Sequence, residues 1–223
     1  MNLHNGSLTK DQWQLLCTRA PDKLDDQQHV FADSMHLFCT HKEVDNHNTT
    51  TLHNLQTVEQ KQLAQIHAKN TPDAAKSCRS EDAMGLTNSL KLREGCKVVL
   101  TMNLWTSTGL VNGADGTVVS MLYARNVRPP NLPIAVIVQF PNYSGSSFLQ
   151  NCSHSVPIVP FKAEWQGKNN NKKHCVREQL PLRIGYADTI HHVQGKTFAR
   201  WAIDLGTKEM TPSISFVVSS KMS

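Results

Sequence analysis

The stretch that decides the fold runs from residue 90 to residue 123 and reads LKLREGCKVVLTMNLWTSTGLVNGADGTVVSMLY. Two apolar runs within it, CKVVLTM at 96–102 and GTVVSMLY at 116–123, are rich in the β-branched residues that favour strands. The segment GLVNGADG at 109–116 carries the glycine and asparagine residues that are typical of tight turns. The stretch therefore predicts two strands joined by a turn-rich loop.

Two more β-rich runs follow, IAVIVQF at 134–140 and SVPIVPFKAEW at 155–165. The connecting segments before them are RPPNLP at 128–133 and PNYSGSS at 141–147. They contain the proline, glycine and asparagine residues that end strands and form turns. Short strands separated by such segments are typical of a small β-sheet or β-barrel. We therefore predict a small β module in this part of the chain.

The segments before the β-rich region carry helix and strand patterns in turn. Residues 8–19 predict a short helix, and residues 34–40 predict a strand with alternating apolar positions. Residues 42–68 predict one or two amphipathic helices, because leucine, valine and isoleucine residues recur at intervals in an otherwise polar sequence. Residues 69–88 hold proline, serine, aspartate and lysine with little periodicity, which predicts a linker or a mobile loop.

The last part of the chain returns to a mixed pattern. Residues 181–206 predict a helix, a sharp turn at Gly195 and a strand near residues 200–205. Residues 214–223 predict a final strand or helix. The order of α/β, all-β and α/β segments predicts an α/β domain that carries an inserted small β module.

The composition is that of a folded protein with long polar segments. Hydrophobic residues make up 39% of the 223 residues, and the formal charge of +5 suits contact with phosphates without requiring it. The start of the chain lacks the apolar segment of a secretory signal, so the six cysteines are expected to be free thiols. The longest apolar run, at 134–138, is too short to span a bilayer. We expect a soluble protein of the nucleus, the cytosol or the mitochondrial matrix, with no membrane partner.

The tripeptide GKT at 195–197 invites a phosphate-loop interpretation, which the preceding residues exclude. A Walker A loop reads G-x-x-x-x-G-K-[ST], and its first glycine would fall on Ile190. No second GK[ST] occurs in the chain, and nothing in it resembles a Walker B segment. If this fold hydrolyses ATP, the main phosphate-binding loop is missing from the chain.

Two pairs of cysteine and histidine are weak candidates for a metal site. Cys152 and His154 form one pair, and His174 and Cys175 form the other. Adjacent histidine and cysteine is not a usual spacing for zinc ligands, and a long loop separates the two pairs. We therefore expect no metal site, and we interpret these residues as partly buried thiols and surface histidines.

The string TIHHVQG at 189–195 offers the chemistry of a nucleic-acid contact. Threonine and histidine side chains can hydrogen-bond a DNA phosphate, and a Gln-Gly turn lets the backbone approach a nucleotide. The same residues are also compatible with a helix end that carries a glycine C-cap and two surface histidines. The string alone does not decide between these two interpretations.

Four ordered blocks cover most of the chain and share one family pattern. Residues 36–52, HLFCTHKEVDNHNTTTL, follow L-F-x-T-N-x-x-V-x-x-x-N-x-x-x-L, with Asn48 in place. Residues 90–118 follow L-x-L-K-x-G-x-x-V-M-L-x-x-N-L and then G-L-V-N-G-x-x-G-x-V. Residues 177–191, REQLPLRIGYADTIH, resemble R-x-Q-F-P-L-x-L-A-W-A-x-T-I-H. TIHHVQG aligns with A-x-T-I-H-K-S-Q-G-x-T, with His192 in place of the lysine and Val193 in place of the serine. Together these blocks resemble the motif IV region, the central block and motif V of the Pif-type, RecD-like DNA helicases of superfamily 1.

The resemblance implies the fold and the domain organisation. In this family the segment between the motif IV region and motif V contains a small β-barrel of the Src-homology type, which helps to hold single-stranded DNA. The chain would then be an incomplete second RecA-like domain, of α/β class, with that barrel inserted. We expect residues 1–89 to form its N-terminal part with the motif IV region and a linker, residues 90–176 the β-rich region with the barrel, and residues 177–223 the C-terminal part with motifs V and VI.

The resemblance also implies an activity and its partners. Full-length members are ATP-dependent DNA helicases that move 5′ to 3′ on single strands and act in DNA replication, recombination, repair or telomere maintenance. ATP and Mg²⁺ would bind between two RecA-like domains, of which the first is missing from this chain. The expected partners are single-stranded DNA and that first domain. The expected location is the nucleus, with the mitochondrion as the alternative.

Carried over by position, the resemblance assigns DNA contacts to Asn103, Asn112, Thr189 and His191, and nucleotide contacts to Gln194 and Gly195. Lys221 falls on the position of the arginine finger in motif VI, where a lysine point charge replaces a planar guanidinium poorly. With no phosphate loop and with this lysine, the chain by itself is expected to be catalytically incomplete.

Two other functions remain open at this point. The chain could be a stand-alone module that binds single-stranded nucleic acid, although few aromatic residues are placed for stacking on bases. It could also be a decayed fragment derived from a mobile element, with no function of its own.

Overall fold

The computed structural model describes residues 9–18, 23, 34–59, 62–167, 174–193 and 200–204. The described part is a mixed α/β structure that consists mostly of strands. The chain divides into two compact units, Met1–Thr51 with Tyr186–Ser223, and Leu52–Gly185. The functional boundaries that we expect after residues 89 and 176 stay a prediction.

The helices and strands of the described residues follow one another with short connections. Three short 3₁₀ helices, at Asp73–Ser77, Glu81–Ala83 and Thr106–Thr108, lie among them. In chain order the main elements are α1 Lys10–Cys17, β1 Met35–Phe38, α2 His41–Glu59, β2 Ala64–His67, β3 Lys69–Thr71, β4 Ser89–Leu92, β5 Lys97–Leu100, β6 Asp115–Leu122, β7 Ala135–Gln139, β8 Ser155–Ile158, β9 Phe161–Gln166, β10 His174–Gln179, β11 Leu182–Ile184, β12 Ala187–Thr189 and β13 Trp201–Ile203.

The first unit contains a parallel three-stranded sheet in the order β12-β1-β13. His36 of the central strand lies opposite Ala187 on one side and Ala202 on the other. Leu37, Ile190 and Val193 are buried together against this sheet. Parallel strands need long crossover connections, so a sheet of this kind identifies the unit as α/β, as the sequence predicted.

A capping box starts helix α2. The Thr40 hydroxyl accepts a hydrogen bond from the Glu43 backbone N–H at 3.3 Å, and the Glu43 carboxylate accepts one from the Thr40 N–H at 3.0 Å. These reciprocal bonds satisfy backbone donors that a helix start leaves without partners. One turn further along, the buried Asn48 Oδ1 accepts hydrogen bonds from the N–H groups of Tyr186 and Ala187, at 3.1 and 2.9 Å. The resemblance placed Asn48 in the motif IV region, and here it joins α2 to the start of β12.

The second unit is built on an antiparallel five-stranded sheet in the order β11-β5-β6-β7-β8. Four of these strands fall on the β-rich runs predicted from the sequence, which confirms the predicted β module. Its core is made of β-branched and leucine side chains from β5, β6 and β7. The buried members include Val98, Val99, Leu100, Val118, Val136, Ile137 and Val138.

The helix predicted over residues 42–68 is wrong in its last part. Helix α2 ends at Glu59, and Ala64–His67 forms strand β2, which pairs with β4. Ala64 and Ile66 are buried while the two residues between and after them are exposed, which is the two-residue period of a strand. Sheet pairing with Leu90 and Leu92 therefore prevails over the helical spacing of the preceding apolar residues.

The helix predicted at the start of residues 181–206 is also wrong. Leu182–Ile184 forms β11, antiparallel to β5, and Ala187–Thr189 forms β12, parallel to β1. Leu182 and Ala187 are buried in these pairings. The predicted strand near residues 200–205 is confirmed by β13, and the prediction for residues 214–223 lies outside the described residues.

Residues 69–88, predicted as a linker or mobile loop, form an ordered segment instead. It contains β3 and two 3₁₀ helices, and β3 pairs with β10 in the three-stranded sheet β3-β10-β9. The buried Arg177 of β10 organises it, donating hydrogen bonds to the carbonyls of Leu86, Ala75 and Cys78 at 2.8–2.9 Å. The prediction was wrong because the composition of the segment shows only turn residues. The residue that orders it, Arg177, lies about 100 positions later in the sequence.

No helix among the described residues has both the length and the apolar character needed to cross a membrane.

Candidate nucleic-acid interface

The loop between β5 and β6, residues 101–114, carries two of the four predicted DNA-binding residues. The Asn103 Oδ1 accepts a hydrogen bond from the Asn112 backbone N–H at 2.8 Å, which brings the two residues together. Both are exposed. The Asn112 side chain has no hydrogen-bond partner among the described residues, so its amide is available to a ligand.

Backbone hydrogen bonds hold this loop in one conformation. Trp105 and Leu110 exchange bonds, each N–H donating to the other carbonyl at 3.1 Å. At the base of the loop, Leu100 donates to the Ala114 carbonyl at 2.9 Å and accepts from the Gly113 N–H at 2.8 Å. The loop is therefore a preorganised extension of the β5–β6 pair.

Gly109 lets the loop pack against the turn at 141–147. Its φ of +90° is strained for any side chain, and a Cβ built there would lie 2.6 Å from the Asn142 carbonyl oxygen. The neighbouring Thr108 carbonyl accepts a hydrogen bond from the Ser144 N–H at 3.0 Å. The glycine of the GLVNG string thus fixes the loop on its neighbour through a close backbone approach.

The outer surface of the loop is apolar as well as polar. Trp105 is 56% exposed, and its neighbours Leu104 and Val111 are 42% and 36% exposed. The sequence analysis found few aromatic residues placed for stacking and did not single out Trp105, which lies in a turn-rich loop. The sequence signal that could have identified Trp105 is its position directly after Asn103 and Leu104 of the family pattern.

The other two predicted DNA-binding residues, Thr189 and His191, lie at the end of β12 in the first unit. Thr189 is buried, and its hydroxyl accepts a hydrogen bond from the His192 N–H at 3.4 Å. His191 is exposed. The Ile190 N–H donates to the Phe38 carbonyl at 3.0 Å, which extends the pairing of β12 with β1 into this turn. The DNA contacts assigned to Thr189 and His191 stay predictions.

Asp188 and His192 form a polar pair next to these residues. The Asp188 carboxylate is buried, and its two oxygens contact the Thr189 N–H at 2.8 Å and the His192 Nδ1 at 3.0 Å. The carboxylate therefore fixes the turn and the histidine ring together. The described residues 187–193 form a strand and a turn, so the alternative interpretation of TIHHVQG as a helix end is wrong for that part.

The remaining predicted site residues, Gln194, Gly195 and Lys221, lie outside the described residues.

The His174–Cys175 pair points to opposite faces of strand β10. The His174 Nε2 lies 3.1 Å from the Glu164 Oε2 on the exposed face of β10, while Cys175 is buried on the opposite face. Burial raises the pKa of the Cys175 thiol, and its contact with Cys78 raises it further. Within the described ranges, no three or more histidine, cysteine, aspartate or glutamate side chains are arranged to hold a metal ion.

An aromatic cluster in the first unit has unusual electrostatics. The His36 ring of β1 stacks on the His47 ring of α2, with ring centroids 4.2 Å apart, and Phe38 lies 5.3 Å from His47. Burial lowers the pKa of both histidines, and proximity to His36 lowers the pKa of His47 further. The folded unit therefore favours two neutral rings. Nothing in the sequence indicated this pair, because the contact depends on how α2 packs on the sheet.

Comparison with known proteins finds a family model that matches the segment containing this loop. Residues 82–121 match the family described as DNA helicase Pif1, 2B domain. This range includes β4, β5, most of β6 and the whole loop that carries Asn103 and Asn112.

Similarity to curated proteins extends beyond this range. ATP-dependent DNA helicase PIF1 of Xenopus laevis is 29% identical to the chain over 157 residues, which make up 70% of this chain and 21% of that protein. The chain thus spans about a fifth of the length of this relative.

Solved structures share the fold over almost the whole chain. The Pif1 helicase of Candida albicans matches with a TM-score of 0.70 at 20% identity, over 99% of this chain and 49% of that one. The Pif1 helicase from Bacteroides, crystallised in complex with ADP-AlF3 and single-stranded DNA, matches with a TM-score of 0.65 at 19% identity, over 99% of this chain and 44% of that one.

Proposed function

We propose that the chain is the C-terminal, DNA-contacting portion of an ATP-dependent helicase that moves 5′ to 3′. Its similarity to part of the Pif1 helicases, including the match to their 2B domain, supports this proposal. In this proposal the first unit is part of a second RecA-like domain. The second unit supplies the inserted β module of the Src-homology type.

The observation that carries the proposal is the geometry of the 101–114 loop. Asn103 and Asn112, assigned to DNA from the sequence, lie hydrogen-bonded to each other on an exposed and preorganised loop. Exposed amide groups on a rigid scaffold are suited to hydrogen-bond phosphates and base edges. The same loop lies within the residues that match the 2B domain.

The first unit supports the proposal through its parallel sheet. Strand β12 lies beside β1, and the turn after it presents the exposed His191 next to the pair formed by Asp188 and His192. In the proposal His191 contacts the DNA backbone. The buried Asp188 holds the turn in the required conformation.

The chain's own residues do not fit a complete nucleotide site. A phosphate loop ending in GKT would need a glycine at position 190, with its backbone N–H directed at a phosphate. Ile190 stands there instead, buried, and its N–H donates to the Phe38 carbonyl. We therefore propose that ATP and Mg²⁺ are bound in the full-length protein mainly by its first RecA-like domain. The opposite side of the nucleotide would be formed by Gln194, Gly195 and Lys221.

A DNA-binding titration tests the proposal. The chain is mixed with a fluorescently labelled oligothymidylate, and anisotropy is measured from low to high salt. We expect binding whose affinity falls steeply with salt, with a log–log slope of about −0.7 for each phosphate contacted. Absence of binding even at low salt would contradict the proposal and favour a decayed fragment.

A matched pair of variants connects that binding to the loop. Asn112→Ala removes the exposed amide and keeps the backbone bond to Asn103, so affinity should fall roughly 2- to 10-fold, as expected for one hydrogen bond. Asn151→Ala, an exposed asparagine in another turn, serves as the control and should bind as the unaltered chain does. Equal affinity of all three proteins would place the contact elsewhere.

An ATPase assay separates a helicase portion from a complete enzyme. The isolated chain should hydrolyse no ATP with or without single-stranded DNA, because it contains no phosphate loop. Measured turnover by the purified chain would contradict the view that it is catalytically incomplete.

A further inference from the structure

Trp105 carries an inference that goes beyond hydrogen bonding by the two asparagines. We propose that Trp105 is a stacking platform for nucleobases, so that the 101–114 loop binds single-stranded DNA by its bases as well as by its backbone. This inference rests on the proposed function, since it refines the DNA contact of the same loop.

The exposure of Trp105 is the first argument. An indole that is 56% exposed leaves much of a large apolar surface in water, and such surfaces mark interaction sites more often than isolated aliphatic side chains do. Leu104 and Val111 of the same loop are also exposed, at 42% and 36%. An exposed flat aromatic ring suits the face of a base.

The rigidity of the loop is the second argument. The backbone of Trp105 exchanges two hydrogen bonds with Leu110, and its carbonyl also accepts one from the Thr108 hydroxyl at 3.0 Å. Gly109 then fixes the loop on the 141–147 turn. The backbone that carries the indole is thus fixed, so binding orders little of the protein and retains more of the stacking energy.

The neighbouring polar groups are the third argument, and they identify the occupant. Asn103 and Asn112 lie on the same loop as the indole, joined by a hydrogen bond across it. Amide groups and an aromatic ring on one exposed loop match the mixed surface of a single strand, whose bases are flat and apolar while their edges and phosphates are polar. A purely apolar partner would offer no hydrogen bond to the exposed Asn112 side-chain amide. The proposed occupant is therefore unpaired nucleotides.

Comparison of two oligonucleotides tests the proposal on the full chain. One is an oligothymidylate of about 12 nucleotides, within the usual range for single-strand sites. The other has the same number of phosphates on abasic sugars. We expect the unaltered chain to prefer the oligothymidylate, because only that strand can stack. Trp105→Ala should weaken its binding about 5- to 100-fold and leave the binding of the abasic strand unchanged.

Two further variants keep the result interpretable. Trp105→Phe preserves an aromatic face and should retain most of the preference for bases. Phe148→Ala removes an aromatic side chain that is 54% exposed on another turn and should bind as the unaltered chain does. Thermal melting of each variant checks that the fold is kept. Photocrosslinking of a bromouracil-containing strand to the unaltered chain should place the crosslink on Trp105.

The outcomes separate the two proposals. If the unaltered chain binds neither oligonucleotide, both proposals fail. If it binds both strands equally, or if Trp105→Ala keeps the preference for bases, the stacking role is overturned while DNA binding stands. A crosslink on another residue, together with unchanged binding by Trp105→Ala, would likewise overturn the stacking role of Trp105.

Discussion

Arg177 is a single side chain that determines the structure of a distant segment. It is 1% exposed, its guanidinium lies 5.7 Å from the centre of the Trp165 ring, and its Nε donates to the Asn70 Oδ1 at 2.9 Å. Burial lowers the pKa of the guanidinium, which nevertheless stays cationic at neutral pH because arginine ionises so far above it. Planar guanidinium groups can satisfy several carbonyls at fixed angles, and an ammonium group cannot reproduce that geometry.

Replacement of Arg177 by methionine should destabilise the second unit. The carbonyls of Ala75, Cys78 and Leu86 would lose their buried donor, and each unsatisfied group is costly. We expect the free energy of unfolding to fall by about 3 kcal/mol or more, measured by urea denaturation. Arg177→Lys should recover little of it.

The control for this change is Arg128→Met, since the exposed Arg128 side chain donates a hydrogen bond to the carbonyl of the adjacent Val127. It should alter the free energy of unfolding by less than about 0.5 kcal/mol. A loss for Arg177→Met as small as that of the control would show that the 69–88 segment is held by other contacts.

Gly109 is the second position where one residue type is required. We expect Gly109→Ala to destabilise the second unit and weaken DNA binding, because the new Cβ would strain the backbone and displace the Asn142 carbonyl from the loop. Gly85→Ala is a matched control with a φ of +82°, where the nearest atom to a new Cβ lies at 3.7 Å. Both variants carry backbone strain of about 1–2 kcal/mol, so their difference in thermal unfolding measures the close approach.

That difference should be about 1–3 kcal/mol, as for overpacking at other crowded sites. DNA affinity should fall for Gly109→Ala only. Equal melting temperatures and equal affinities for the two variants would mean that the loop does not depend on its contact with the 141–147 turn.

Among the elements, β1 and α2 combine a capping box, a buried asparagine and a stacked histidine pair. The pair makes the first unit sensitive to acid. Because burial lowers the pKa of His36 and His47 in the folded state, the unfolded chain binds protons first as the pH falls below about 6.5. The stabilisation is therefore present above that pH and is lost as the pH falls through the lower folded pKa.

We expect the unfolding temperature of the first unit to decrease between pH 7.5 and pH 5.5. The double variant His36→Gln/His47→Gln should flatten this dependence, while His67→Gln, an exposed histidine on β2, should not. Circular dichroism melts in buffers of constant ionic strength make the measurement. An unchanged pH dependence in the double variant would assign the acid sensitivity to other groups.

The elements also show what sequence reasoning can and cannot supply. Strands β5, β6, β7 and β8 were predictable because β-branched runs and the turns between them are local signals. The start of α2 was readable as well, since the sequence THKE at 40–43 is a capping box. Strands β2, β11 and β12 were not predicted, because each has only three or four residues and pairs with a strand that is distant in the sequence. Likewise, the contact between Asn103 and Asn112 followed from no pattern and needed the loop geometry.

In the molecule as a whole, the chain leaves the first unit within helix α2 and returns to it at Tyr186. Residues 52–185 contain every strand of the five-stranded sheet, so that unit closes its own core. The sequence predicted an α/β domain interrupted by a β module, and the two compact units follow that order. The same organisation accounts for the family comparisons, in which the 2B match lies wholly inside residues 52–185.

The position of β1 at the centre of its sheet has a consequence for how the protein is made. A ribosome synthesises β1 before both neighbouring strands, because β12 and β13 lie about 150 residues or more further along the chain. At 5–20 residues per second, the nascent β1 waits roughly 7–30 s with both edges unpaired, while the β module can emerge and fold. Unpaired strand edges attract other chains. The vulnerable period for this protein therefore comes during translation, and slower ribosomes should increase its demand for chaperones.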